Sequence, residues 1–275
     1  MGYKLIASDM DETLLNDHHE ICQRNIDLIK KAKELGVKFV PATGRGFMSI
    51  QNDLRLLDLY DQEGEYVISF NGGAISENKD NQVIDFQGLP FEKMKEIFEF
   101  GLDYDVCQHI YTKDKVYIFN LSESEAQRIK NQKVDCIIME DNNVDFLKDT
   151  PIAKILYQNT DVPYLMSIEP KMKDIVEGLC SVSYSSNRYM EFNRIGVDKG
   201  QGLKKLAKIL GIDIKDTIAV GDNYNDLAML KVAGLSVAAG NSVEGVKDVC
   251  DYVCQSNNNE GVLAEVIERF IIDEL

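Results

Sequence analysis

The stretch at residues 4–15, "KLIASDMDETLL", joins a short apolar run to a cluster of carboxylates. The run predicts a buried β-strand, and Asp9, Asp11 and Glu12 follow directly at its end. Carboxylates this close repel one another, and burying them costs folding energy unless a cation or hydrogen bonds compensate. The stretch therefore predicts that another group offsets this charge at the end of the first strand.

Strand and helix signals alternate in both the N-terminal and the C-terminal part of the chain. After "YKLIAS" come a helix over residues 21–35, the strand "VKFVPAT", a helix over about 46–60 and the strand "YVISF". Near the C-terminus the helix "KGQGLKKLAKILG", the strand "TIAVGD", the helix "NDLAMLKVAG" and the strand "LSVAAG" repeat this order. Apolar strands separated by amphipathic helices predict a parallel sheet covered on both faces. We therefore expect the two ends to form one α/β domain, a Rossmann-like doubly wound parallel sheet.

The middle of the chain follows another pattern. "DVCQHIYTKDKVYIFN" predicts a hairpin that turns at Lys113 and Asp114, and "PFEKMKEIFEF" predicts a helix beside it. Hairpins are antiparallel, so this section is expected to be a separate α+β unit inserted into the parallel-sheet domain. We predict a core made of residues 1–84 and 191–275 and an inserted α+β cap over residues 85–190.

The C-terminal loop adds to the predicted fold, and the composition limits which partners the chain is expected to bind. The polar "SNNNEG" before the last helix predicts a loop in which Asn258 or Asn259 caps that helix. The chain has 275 residues, is 44% hydrophobic and 28% charged, and carries a formal net charge of −16, which opposes binding to nucleic acid or anionic membranes. Six cysteines are scattered, and only Cys250 and Cys254 lie close together, without nearby histidines, which predicts free thiols and no zinc site. The absence of a signal-peptide pattern or a long apolar run favours a cytoplasmic location.

Polar residues follow four of the predicted parallel strands. In doubly wound sheets, ligands bind beyond the carboxyl ends of these strands. In chain order the ends carry Asp9 and Asp11, Thr43 to Arg45, Asn71 to Gly73, and Asp222 to Asp226, with Lys199 opening the helix before the last of them. The sequence therefore predicts one site at this edge of the sheet.

The carboxylates predict a metal and a nucleophile. Asp9 and Asp222, with the backbone carbonyl of Asp11 and waters, would form an oxygen-only ligand shell, which suits Mg²⁺ better than zinc or copper. A carboxylate can attack phosphorus and form an aspartyl-phosphate. Asp9 lies deeper in the strand and is the expected nucleophile, whereas Asp11 is the expected acid and base.

The neighbouring groups suit a phosphate. Thr43, the Gly44 amide and Lys199 would hold its remaining oxygens. Taken singly, each feature also has a structural interpretation: D-x-D is common in solvated loops, Lys199 and Thr43 suit helix starts, and "GDNYND" suits a capped turn. Their coincidence at strand ends, in one order, favours a function in phosphoryl transfer.

With these residues in this order, the chain resembles the haloacid dehalogenase superfamily of phosphatases, in particular its Cof-type branch with a large cap. The resemblance rests on "DMDETLL", "ATGR", "DKG" and "GDNYND", in that order. It implies that Asp9 is the nucleophile and a metal ligand, that Asp11 is the acid and base and binds metal through its carbonyl, and that Asp222 is the third protein ligand. Glu12 stands where the family usually has Gly.

The resemblance also implies a substrate site and a function. Phosphate would be held by Met10, Thr43, Gly44, Lys199 and Asn225, with Asp226 supporting the metal or Lys199 from behind. The implied enzyme is a monomeric or homodimeric Mg²⁺-dependent phosphatase of small metabolites such as sugar phosphates, pyridoxal phosphate or flavin mononucleotide, with the insert as its substrate-selecting lid. Two alternatives remain: a phosphomutase of the same superfamily, and a receiver-like signalling module, against which the length of the insert argues.

Overall fold

The computed structural model describes residues 2–132 and 135–273. Its strands are β1 (Leu5–Ser8), β2 (Lys38–Pro41), β3 (Tyr66–Ser69), β4 (Ala74–Glu77), β5 (Gln82–Phe86), β6 (Cys107–Thr112), β7 (Val116–Phe119), β8 (Ile137–Ile138), β9 (Ile152–Gln158), β10 (Cys180–Ser185), β11 (Tyr189–Arg194), β12 (Thr217–Gly221), β13 (Leu235–Ala238) and β14 (Tyr252–Val253). Its α-helices are α1 (Gln23–Glu34), α2 (Gln51–Leu56), α3 (Phe91–Gly101), α4 (Glu123–Gln132), α5 (Val162–Ile168), α6 (Lys173–Val176), α7 (Lys199–Leu210), α8 (Leu227–Leu230), α9 (Glu244–Lys247) and α10 (Val262–Ile267).

The chain forms two compact units. The core unit reaches to Asp85 and resumes at Asp198, and the insert unit spans Phe86–Val197. The insert unit ends at Val197, past the expected boundary at residue 190, because β11 pairs with both β10 and β9 of that unit. No helix in the described part of the chain combines the length and the apolarity that a bilayer span requires.

The core unit is built on a five-stranded parallel sheet in the order β14-β13-β12-β1-β2. A parallel bridge between Ala42 and Ile68 joins the end of β2 to β3. The four residues of β1 are all buried, as expected for a strand covered on both faces. The crossover helices α1 and α7 turn apolar stripes inward, among them Ile29 on α1 and Leu203 on α7. The predicted doubly wound parallel sheet is confirmed.

The insert unit is α+β, also as predicted. Its six strands lie in the order β10-β11-β9-β6-β7-β8, with antiparallel pairing except between β7 and β8. The β6–β7 hairpin turns at the predicted position. Its apolar core includes Ile97 and Phe98 of α3 together with Ile110 and Tyr157 of the sheet.

Three local predictions are wrong in detail. The helix expected over about 46–60 begins as a 3₁₀ turn and continues as the short α2, and the chain then turns at Asp58, whose φ is 55°. The helix expected in "NDLAMLKVAG" is only the single turn α8. Gly234 packs so closely on the Lys215 carbonyl that a Cβ would lie 1.8 Å from it, so tertiary packing overrides helix propensity there.

The cap predicted for the last helix is also wrong. The residue before α10 is Gly261, which has a φ of 103°. The side chains of Asn258 and Asn259 instead donate to oxygens in the loop that follows the first strand, at Leu15 and Asp17. These asparagines therefore join two loops of the core unit.

Candidate active site

Asp9 sits at the carboxyl end of β1 in a tight, buried loop. Its backbone N–H donates to the Val220 carbonyl of β12 at 2.9 Å, which continues the sheet pairing. The Met10 carbonyl then accepts from the N–H groups of Leu14 and Leu15, at 3.1 and 2.8 Å, so the chain turns sharply. The Met10 side chain is fully buried, which leaves only its backbone for the predicted phosphate contact.

Glu12 occupies the tightest part of this turn, with a φ of 61°. This left-handed conformation favours glycine because a side chain crowds the backbone there. Glu12, which stands where the family usually has Gly, therefore occupies a position whose backbone conformation favours glycine. The Glu12 side chain is exposed.

Asp222 and Asp226 bring the acidic loop after β12 to the same place. The Thr13 hydroxyl donates to Asp222 Oδ1 at 2.7 Å and thereby ties this loop to the one that follows β1. Asp226 is fully buried, and its Oδ2 accepts from the backbone N–H groups of Asp222 and Asn223, at 3.0 and 3.1 Å. Both loops are thus held by hydrogen bonds to carboxylate oxygens.

Lys199 is the buried cation of the site. It opens α7, is fully buried, and pairs through Nζ with Asp9 and, at 2.6 Å, with Asp226 Oδ1. Burial opposes its positive charge, but the two carboxylates raise the pKa of Lys199 above its ordinary value. The helix reaches this position because Gly200 has no side chain: a Cβ there would lie 2.2 Å from the Ala228 carbonyl oxygen.

The acidic cluster fits a hard divalent cation. Carboxylate oxygens of Asp9, Asp222 and Asp226 all lie within 4.8 Å of one another, and Lys199 is the ammonium paired with two of them. Burial raises the pKa of Asp9 and, together with the charge of Asp226, raises the pKa of Asp222 to about 7. Burial is the largest cause of both shifts, and the neighbouring carboxylates add to it. An oxygen-only donor set of this kind suits Mg²⁺-like ions.

The three carboxylates differ in how many hydrogen bonds their oxygens already accept. Asp226 accepts three hydrogen bonds, from Lys199 and from two backbone N–H groups, so it suits the supporting role that the resemblance implies. Asp9 and Asp222 retain oxygens that the described hydrogen bonds do not use, Oδ2 in each case. The ligand atoms predicted from sequence, in Asp9 and Asp222, are therefore brought together.

The Asp11 carboxylate is not part of this cluster. Arg45 Nε donates to Asp11 Oδ2 at 2.9 Å, and Nη2 donates to Oδ1, so the guanidinium grips both oxygens. Although burial opposes the Arg45 charge, Asp11 raises the pKa of this guanidinium. The Asp11 carboxylate is thus occupied by Arg45, and metal ligation through the Asp11 backbone carbonyl stays a prediction.

Thr43 and Gly44 follow β2 beside the loop after β3. Thr43 is buried, its N–H donates to the Ile68 carbonyl at 2.9 Å, and its Oγ1 accepts from the Arg45 N–H at 3.0 Å, so the hydroxyl proton remains available to a ligand. A Cβ on Gly44 would lie 3.1 Å from Asn71 Oδ1, a tight contact that the Asn71 side chain would have to move slightly to accommodate.

The remaining predicted phosphate contact lies at the surface. Asn225 is exposed in the short turn Tyr224–Asp226 that presents Asp226. The sequence assigned no role to Thr13 and Arg45, although both lie inside quoted motifs, because a single sequence does not show which loops a side chain will join. Their polar type in a strand-end loop was the only available signal.

Comparisons with known proteins agree with this geometry. A family model described as haloacid dehalogenase-like hydrolase matches residues 6–266. The Bacillus subtilis protein YxeH is 32% identical over 271 residues, which are 98% of this chain and 99% of YxeH. From the same organism, 5-amino-6-(5-phospho-D-ribitylamino)uracil phosphatase YcsE is 27% identical over 269 residues, 98% of this chain and 96% of YcsE. A solved haloacid dehalogenase-like hydrolase from Bacteroides thetaiotaomicron is 32% identical, with a TM-score of 0.85 over 97% of this chain and 99% of that one.

Proposed function

Because the chain belongs to the haloacid dehalogenase-like hydrolase family and is a phosphatase, we propose that it hydrolyses small phosphorylated metabolites with Mg²⁺ through an aspartyl-phosphate on Asp9. One observation carries this proposal: Asp9, Asp222 and Lys199 converge from three separate segments onto one buried point at the carboxyl ends of β1 and β12. A carboxylate nucleophile, further carboxylates for a cation and a fixed ammonium are the groups that phosphoryl transfer requires.

In the first step a carboxylate oxygen of Asp9 attacks phosphorus, and the bond between phosphorus and the ester oxygen breaks. The protonated carboxyl of Asp11 gives its proton to the departing oxygen, which leaves as an alcohol. Lys199, the Thr43 hydroxyl and the Gly44 amide stabilise the charge on the remaining phosphoryl oxygens. The products of this step are an alcohol and a phosphorylated Asp9.

In the second step water attacks the same phosphorus. The Asp11 carboxylate takes a proton from that water, and the bond between phosphorus and Asp9 breaks. Inorganic phosphate leaves, Asp9 is again a carboxylate and Asp11 is again protonated, so the cycle is closed.

The metal would be held by the carboxylates of Asp9 and Asp222 and the carbonyl of Asp11. When bound, Mg²⁺ neutralises the excess charge of the cluster and polarises the phosphoryl oxygens. The chain's own groups do the rest: Thr13 fixes the Asp222 carboxylate, and Asp226 holds Lys199.

The Asp11–Arg45 pair places a condition on this mechanism. A carboxylate whose two oxygens both accept from one guanidinium has these oxygens occupied by that partner. Asp11 must therefore exchange Arg45 for the leaving group before it delivers a proton. Since the pair is partly exposed, with side-chain exposures of 46% for Asp11 and 30% for Arg45, the exchange does not require the core to open.

The insert unit is proposed to select the substrate, in keeping with its separate fold. Sugar phosphates, pyridoxal phosphate and flavin mononucleotide are the proposed substrate types. The name of YcsE, a phosphatase of a phosphorylated ribityl compound, supports a polyol phosphate among them.

The match to a hydrolase family favours an enzyme over the receiver-like signalling module. A cytoplasmic location and a monomeric or homodimeric state remain predictions from the sequence.

The test is a panel of phosphate esters assayed for released phosphate with Mg²⁺ and with a chelator. We expect hydrolysis of p-nitrophenyl phosphate and of at least one sugar phosphate, pyridoxal phosphate or flavin mononucleotide, loss of activity with chelator, and its return with Mg²⁺. Full activity in metal-free protein would overturn the metal-dependent mechanism. An isomerised sugar phosphate formed without free phosphate, and only with a sugar bisphosphate present, would instead support the phosphomutase.

A further inference from the structure

A short loop after β13, residues 239–243 or "AGNSV", is bonded to the acidic loop of the site. The Ala239 N–H and the Ser242 hydroxyl both donate to the Gly221 carbonyl at 3.1 Å. The Val243 N–H donates to the carbonyl of Asp222 itself at 3.0 Å. The 239–243 loop therefore fixes the backbone from which the Asp222 carboxylate projects.

The same loop reaches the loop that carries Asp9. Asn241 Nδ2 donates to the Glu12 carbonyl at 2.7 Å. Glu12 is the left-handed residue of the turn, and its carbonyl lies between Asp11, whose own carbonyl is a proposed metal ligand, and Thr13, which bonds Asp222. A donor at this carbonyl holds the strained turn in one orientation.

The oxygen of the Asn241 side-chain amide also forms a hydrogen bond. Its Oδ1 accepts from the Asn258 N–H at 3.0 Å, and the adjacent Gly240 N–H donates to the Ser256 carbonyl at 2.9 Å. A Cβ on Gly240 would lie 2.8 Å from the Ser256 oxygen, so this close approach requires glycine. Only an amide side chain offers a donor and an acceptor in this arrangement, which explains asparagine at position 241.

We propose that Asn241 is a positioning residue that sets the spacing between the Asp9–Thr13 loop and the Asp222 loop, and thereby the affinity of the site for a divalent cation. The inference rests on the proposed function, because it takes Asp9, Asp11 and Asp222 as the ligand set. Mg²⁺-like ions demand near-ideal octahedral geometry, so a small shift of one loop relative to the other weakens binding. Partners behind metal ligands typically change affinity about 10- to 100-fold when removed.

The test measures Mn²⁺ binding by electron paramagnetic resonance in substrate-free protein, with Mn²⁺ as the visible stand-in for Mg²⁺. Asn241→Ala should weaken Mn²⁺ binding roughly tenfold. The matched control is Asn259→Ala, which also removes an asparagine whose Nδ2 and Oδ1 join two loops, here to Asp17 at 3.1 and 3.2 Å. This control should lower the melting temperature but leave Mn²⁺ affinity within about twofold of the wild type.

Wild-type Mn²⁺ affinity in Asn241→Ala, or equal weakening in both variants, would overturn the proposal. If Asn241→Ala does not fold, Asn241→Asp decides the question, because it keeps the acceptor for the Asn258 N–H and removes the donor to Glu12. Its added negative charge would by itself tighten cation binding. Weaker binding in Asn241→Asp therefore supports positioning, and unchanged or tighter binding contradicts it.

The two proposals fail separately. A wild-type protein that binds Mn²⁺ but hydrolyses no ester of the panel contradicts the proposed function and leaves the Asn241 comparison intact. A wild-type protein that binds no Mn²⁺ contradicts both.

Discussion

The core unit and the insert unit each bury a cluster of charged side chains, and the two clusters differ in the balance between positive and negative charge. In the core unit, three carboxylates surround one ammonium: Asp9, Asp222 and Asp226 with Lys199. In the insert unit the charges pair one to one: Lys154 with Glu191, and Arg188 with Glu125 at 3.5 Å. Buried charge that is paired within the chain needs no further partner, whereas a surplus of one sign favours uptake of a proton or a cation and so marks a candidate site.

The largest effect is expected in the core cluster, at the proposed nucleophile Asp9. Asp9→Asn should lower kcat by roughly 10³-fold or more, since the amide does not form the covalent intermediate. The variant should fold with an unchanged or higher melting temperature in metal-free buffer, because burial raises the pKa of Asp9 and makes its negative charge unfavourable there. Lys199 keeps Asp226 as its partner. Turnover comparable to the wild type would show that Asp9 is not the nucleophile.

The second prediction neutralises one buried carboxylate in each cluster. Glu125→Gln should lower the free energy of unfolding by about 3 kcal/mol, because it leaves the Arg188 guanidinium without its nearby carboxylate. Asp222→Asn should change it by less than about 1 kcal/mol in metal-free protein, because it relieves repulsion and keeps an acceptor for Thr13. Urea unfolding of both variants measures the contrast. A larger loss in Asp222→Asn would contradict the surplus-charge interpretation.

The third prediction concerns the pH dependence of the insert unit. Burial, together with the positive charges around it, lowers the pKa of His109 from about 6.5 to about 3, so the buried imidazole is neutral. The groups around it include Lys154 on β9, Arg128 and Glu125 on α4, Arg188 just before β11, Tyr189 at the start of β11 and Tyr111 on β6. Between pH 6.5 and pH 3 the unfolded chain binds a proton that the folded chain does not, so stability is lost as the pH falls through this window.

The expected loss from His109 is about 2 kcal/mol between pH 7 and pH 5. His109→Gln removes the titrating group and should flatten this part of the stability curve, as measured by urea unfolding at several pH values. The matched control is His18→Gln, which changes an exposed histidine of the core unit and should leave the slope as it is. An unchanged slope in His109→Gln would mean that the imidazole is not held neutral.

The smallest expected effect lies at the turn beside Asp9. Glu12→Gly should raise the free energy of unfolding by about 0.5–1 kcal/mol, because glycine adopts a φ of 61° without the steric cost that a side chain has. Thermal unfolding should show a rise of about 2 °C. Asp80→Gly, at another exposed left-handed residue with a φ of 53°, is the control for the general effect of glycine. A fall in the melting temperature of Glu12→Gly would show that the side chain contributes contacts that outweigh the strain.

Much of the fold followed from local patterns. Apolar strands and amphipathic helices are periodic over a few residues, so the parallel sheet and the inserted α+β unit could be predicted from the chain itself. The strand-end rule then placed Asp9, Thr43 and Asp222 at one edge. The short α8 could not be predicted because Gly234 packs against the backbone of the distant Lys215. The cap of α10 could not be predicted because Gly261 adopts a left-handed backbone conformation there and the nearby asparagines bond to another loop.

The sequence by itself determined which kinds of groups the site contains: paired aspartates after the first strand, a threonine and glycine after the second, a lysine at a helix start and an acidic turn near the end. Only the tertiary structure decided how they are joined. Thr13 bonds Asp222 across 209 residues and Asn241 bonds Glu12 across 229, and no local pattern encodes such pairs. Side-chain type is set locally, whereas hydrogen-bond partners and the balance of buried charge depend on which loops the folded sheet brings together.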